Sequence, residues 1–339
     1  TAVLKGLTIT NGDNINGGGI QLYGSSPKLS YLNITGNSSS NGNGGGIWCA
    51  DYSNPVIEYC TISNNWAEGA GGGMMLHNHS EPIIRHTLIS NNQSTVNNPK
   101  GGGGLTIDQF SEPELFDVLI KNNVSAGYGG GLSIVECENY NLTGITIVDN
   151  QAVDGGGLFI NLSDNITVHD ITISGNYAND GGGLNCNRSN VAFIDVQILD
   201  NTANYSGGGI RVENGNDSYN YLNFVNVSFI NNTATGSYGG AVFGSGMHGI
   251  DFTNCTFFDN SANIGGALQL QNNIDVNIIS SILWNNSPEE ISLDDAVTVD
   301  VSYSDLEGGS SNINYMGNFS GSLDWLDGNI DADPLFCNA

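Results

Sequence analysis

The sequence predicts an all-β fold, a right-handed parallel β-helix of about 11 coils of roughly 26–27 residues, with three short strands per coil. Three observations predict it. A run of two or three glycines (or glycines and alanine) followed by an aliphatic residue recurs ten times. An asparagine closing a strand-like stretch recurs ten times in step with it. Between these markers apolar and polar residues alternate, and no segment carries a helical period.

The residue before each apolar restart is Gly19, Gly46, Gly73, Gly104, Gly131, Gly157, Gly183, Gly209, Ala241 or Ala267, at spacings of 26 to 32 residues. The asparagines begin Asn37, Asn65, Asn92, Asn123 and continue through Asn286. Aligned on these markers, Ile20, Ile47, Met74 and Leu105 fall in one apolar column, and Leu22, Cys49, Leu76 and Ile107 in a second. Leu29, Ile57 and Ile84, then Ile34, Ile62 and Ile89, fall in two more, ahead of the asparagine. Alternation of this kind means short strands with one buried side. Strands recurring at equivalent positions in every repeat stack in parallel, and the hand follows from the general right-handedness of parallel crossovers. A rise of about 4.8 Å per coil makes a rod roughly 50 Å long.

The corners follow from the same markers. Glycines permit positive φ and close approach of the coil beneath. Because a strand and not a helix follows them, they are not a phosphate-binding loop. The asparagine amides are expected to form a ladder along the stack. Cys49 and Cys186 share one inward column five coils apart, and Cys60 and Cys255 share another seven coils apart, so neither pair can form a disulfide. Cys137 falls in a loop and Cys337 near the end, with no pairing assigned. The repeat domain is expected over 1–301, with a closing segment over 302–339 packed on the last coil. The opening run TAVLKGLTIT already reads as a strand, so the chain is expected to be a piece of a longer one.

Composition narrows the partners. Seven Lys and Arg against 34 Asp and Glu give a formal charge of −27, which excludes nucleic acid and anionic membranes as ligands. No stretch reaches the roughly 18 apolar residues of a spanning helix.

Two later phrases repeat closely: Gly-Gly-Ala plus an aliphatic residue at Gly239–Val242 and Gly265–Leu268, and Phe-x-x-Asn at Phe229–Asn232 and Phe257–Asn260. This pattern resembles the repeat of polymorphic outer-membrane proteins, bacterial surface β-helix proteins. In the earlier repeats Gly replaces Ala and Ile replaces Phe, a departure from that family's strict form. The run from Ser281 to Phe336 looks like the closing segment of secreted bacterial β-helix proteins. The resemblance implies a secreted or surface-attached protein, extracellular or on a bacterial cell surface, with adhesive roles.

Two functional readings compete. In the first, the outward column two residues past the glycines is a binding face. Trp48, Phe159 and Phe243 would be aromatic platforms there and Asn185 and Arg211 polar partners, all suited to a polysaccharide or a cell-surface glycan. No cofactor is called for, although Ca²⁺ could assist. Two carboxylate pairs recur in register and could hold it: Asp154 with Asp180 before their glycine runs, and Asp170 with Asp195 six residues before their asparagines. In the second reading the chain is a polysaccharide lyase or glycoside hydrolase of the pectin-lyase-like kind. No catalytic constellation stands out, and the fallback set is Asp170, Asp195 and Arg211. A structural or filament-forming scaffold, associating head to tail, is the third alternative. The non-catalytic adhesion or carbohydrate-binding module is the favoured reading.

Overall fold

A computed structural model describes residues 2–97, 100–213, 220–317 and 319–336. Every pairing in it is parallel, and the strands stack coil on coil into one solenoid, as the repeat columns require. Coils are numbered here by their strand on the first face, the sheet that follows the glycine runs. That face has twelve strands among the described residues, from Ile20–Tyr23 to Ile313–Tyr315. The count exceeds the ten glycine runs because Ile291–Leu293 and Ile313–Tyr315 add two coils without a preceding run. The segment expected to close the solenoid therefore continues it. Ile313–Tyr315 extends the first face, Ser322–Trp325 the second, and Ile330 bridges to Asp305 on the third.

The second and third faces precede the asparagine. In coils three and four they merge into single bent strands, Ile83–Ser90 and Glu114–Lys121. His86 and Asp117 take positive φ at the bends, 49° and 51°. The same corner recurs with φ near 50° at Tyr31, Tyr59, Asp170, Asp195 and Asn226, positions whose side chains point away from the axis. Inward columns register as predicted, with Ile20 on Ile47 and Leu184 on Ile210. Larger side chains fill the later coils, where Phe193, Phe224 and Phe252 stack at 4.8 and 5.1 Å and Phe229 lies 4.6 Å from Phe257.

The asparagine ladder is continuous. Asn176, for example, accepts from the backbone N–H and the side-chain amide of Asn150 at 2.9 and 3.1 Å and donates to Asn201 Oδ1 at 3.0 Å. It ends at Asn286, whose N–H and Nδ2 donate to the carboxylate of Glu290 at 3.2 and 2.6 Å. Burial pushes Glu290 up to about 7, against the lowering effect of those bonds. In the middle glycine of the run a side chain has no room: a Cβ on Gly182 would sit 2.5 Å from the backbone of Gly208 and Thr202. Cys49, Cys60, Cys137, Cys186 and Cys255 are buried and unpaired. Cys137 thus belongs to the core, and Cys337 lies outside the described residues. Among the described residues no helix is long and apolar enough to cross a membrane.

Candidate functional site

The outward column of the first face does not present an open aromatic platform. Trp48 is 9%, Phe159 1%, Asn185 3% and Phe243 6% exposed, which corrects the expectation for all four. The cause is the path of the glycine corner. The first glycine of each run takes positive φ and bends the preceding segment over the sheet: Gly181 has φ 62°, and a Cβ there would meet Asn185 Cβ at 3.0 Å. Trp48 is covered in this way and packs with Ala50, Ala70 and Met75 as a small second core. Residues 98–99 and 214–219, in the two longest repeats, lie outside the described residues.

The crest above that column comes from the residue immediately before each glycine run: half-buried Tyr128, Asp154, Asp180 and Tyr238, and buried Ser206, in coils five to nine. Four of them meet an outward residue of the first face, and Ser206 bonds Asp180. The Tyr128 and Phe159 rings lie 4.7 Å apart, and Tyr238 stacks on Phe243 at 6.0 Å. Between these aromatic pairs the crest is polar. Asp154 lies close enough to the Asn185 amide for its pKa to be lowered by it and forms a β-bridge with Asp180 in the next coil. Asp180 accepts from Ser206 Oγ at 2.5 Å and pairs with Arg211 Nε at 3.4 Å, while Arg211 Nη2 contacts Glu213.

The electrostatics follow from burial. Desolvation first, and then the Asp180 charge, raise Asp154 to about 6, while Arg211 opposes the rise. The Arg211–Asp180 geometry is that of an ion pair and not of a hydrogen bond. It leaves the buried Nε–H without an acceptor, and Asn187 Oδ1 on the same face is buried without a donor. Arg211 pairs with Asp180, one of the two carboxylates expected to hold calcium on this face. Among the described residues no group of three or more His, Cys, Asp or Glu is arranged to hold a metal ion.

Asp170 and Asp195 lie on a different side, at the positive-φ corner between the second and third faces. Asp195 pairs with His169 Nε2 at 3.2 Å and accepts from Asn226 Nδ2 at 3.0 Å, and both aspartates are exposed. The fallback catalytic set is therefore not assembled: Arg211 faces Asp180 on the first face, away from Asp170 and Asp195. Tyr128, Ser206 and Tyr238 were not singled out by sequence. They stand in the same column as Asp154 and Asp180, which was the available signal.

Two other aromatic groups line corners of the early coils. Tyr31, Tyr59 and His86 stack at 5.0 and 4.7 Å, and Tyr52, His79 and Phe110 at 5.1 and 5.5 Å. Their rings lie face to face along the rod, so each covers its neighbour's face and presents mainly edges outward.

Set beside known proteins, residues 1–130 match the family model for a right-handed beta helix region. No curated protein and no solved structure matches the chain. The chain is a parallel β-helix repeat protein, with the matched architecture continued by the later coils.

Proposed function

We propose that the chain is a non-catalytic saccharide-binding module of an extracellular or cell-surface protein, with its ligand lying along the crest of coils five to nine. One observation carries this reading. Two aromatic pairs, Tyr128–Phe159 and Tyr238–Phe243, bracket a polar stretch containing Asp154, Asp180, Asn185 and Arg211. The bracket spans four coil steps, roughly 19 Å, the length of a short linear oligosaccharide. The half-exposed rings of Tyr128 and Tyr238 at its ends can pack on sugar rings, while the carboxylate and guanidinium groups between them suit hydroxyls. Two carboxylates against one guanidinium, in a chain of charge −27, favour neutral or amino sugars over uronates.

A glycan array run with and without EDTA tests it. Binding that survives EDTA, is lost in Arg211→Ala and Tyr128→Ala, and releases no new reducing or unsaturated ends is the expected result. Turnover of any bound glycan would refute the non-catalytic reading. Loss of binding in EDTA would return calcium to the site.

A further inference from the structure

The tail that follows the last coil encloses a second feature, unrelated to the crest. Phe258 and Trp284 are register partners in adjacent coils of the third face, and both are half-buried. The tail crosses over them and places Phe336 edge-on to Phe258, with ring centroids 4.9 Å apart at 73°. Between tail and sheet lies an open cavity of about 390 Å³, lined by these three rings with Asn285, Asp333 and Leu335. Asp333 Oδ1 accepts the Leu335 N–H at 2.9 Å, which holds the tail's turn and sets the carboxylate at the rim. Asn285 is itself held by two further carboxylates: its N–H donates to Glu307 Oε2 at 2.7 Å and its side chain donates to Asp259.

We propose that this cavity binds an organic cation through its alkylammonium group. Three aromatic side chains and one carboxylate line the space, two more carboxylates hold Asn285, and among the described residues the lining contains no cationic side chain. Ring faces and a carboxylate together attract an ammonium group carrying apolar substituents more than a hydrated metal ion. They repel anions, as does the −27 charge of the chain. The ammonium can belong to a free quaternary amine or to a lysine side chain of a partner, since both present the same chemistry.

Calorimetric titration of the whole chain at low salt decides the matter, with choline, its neutral isostere 3,3-dimethylbutan-1-ol, and N-acetyl-lysine amide as probes. We expect one or both cations to bind, and the isostere to bind at least about tenfold more weakly. The stronger of choline and the lysine amide identifies the source. Asp333→Asn keeps an oxygen for the Leu335 N–H and so preserves the tail, and Trp284→Ala removes a ring; each should weaken the cation by about tenfold with circular dichroism unchanged. If Trp284→Ala misfolds, Asp333→Asn alone decides. Equal affinity for the isostere, cation binding indifferent to Asp333→Asn, or no binding of either cation would overturn the proposal.

Discussion

Replacing Asn176 with alanine tests the claim that the asparagine column, and not only the apolar core, ties one coil to the next. Asn176 is 1% exposed. Its Oδ1 accepts two hydrogen bonds from Asn150, and its Nδ2 donates to Ile147 O at 3.1 Å and to Asn201 Oδ1 at 3.0 Å. Alanine removes all four and leaves the buried N–H of Asn150 without this acceptor. At about 1 kcal/mol per bond, the cost is about 4 kcal/mol, and unmet buried groups raise it further. In a stack where each coil touches only its neighbours, that cost falls on the two junctions of coil six, with coils five and seven. Urea unfolding should therefore shift to lower denaturant, with amide exchange accelerated first at Asn150 and its neighbours. Gln197→Ala, at an exposed outward position, serves as the control and should stay within about 0.5 kcal/mol. A loss at Asn176 below about 1 kcal/mol would refute the reasoning.

Other outcomes follow from the same structure. Glu290 is raised to about 7 from 4.5 by burial, so the folded state binds an extra proton between those values. Its contribution is complete below about pH 4.5 and is lost as pH rises through about 7, a change of about 3 kcal/mol. Melting against pH should show that decline, with a smaller step from Asp154 near 6, and Glu290→Gln should flatten it. At lower pH the sign reverses, because Lys28 and then Arg85 hold Glu58 below the usual carboxylate range. Gly182→Ala should destabilise far more than Gly183→Ala, since the third position already carries alanine at Ala241 and Ala267; thermal melts of the two variants check this. Burial pushes the thiols of Cys49, Cys137, Cys186 and Cys255 up to about 12, so they should resist thiol reagents until the chain unfolds.

The repeat was legible because it is periodic. A column such as Ile20, Ile47 and Met74 states its register outright, and the asparagine spacing marks each coil. The expected count of about 11 coils fell one short of the twelve strands on the first face, because Ile291–Leu293 and Ile313–Tyr315 lack the glycine signal. The burial of Phe159 and Phe243 was not legible, because alternation along a strand gives the direction of a side chain and says nothing of what lies above it. That depends on a positive-φ glycine carrying Tyr128 or Asp180 back over the sheet, a property of the corner's path. The pairing of Asp180 with Arg211 depends on the same path. Asp170 and Asp195 were rightly placed in one column, but their positive φ turns both toward solvent, where His169 and Asn226 engage Asp195.

Hydroxyl-radical footprinting with a glycan selected from the array tests the account's central claim most directly. Tyr128 and Tyr238 should be protected by the ligand, while Tyr31, Tyr52 and Tyr59 on the early corners react as in the free protein. Protection confined to those early tyrosines would place the ligand on another face and contradict the account.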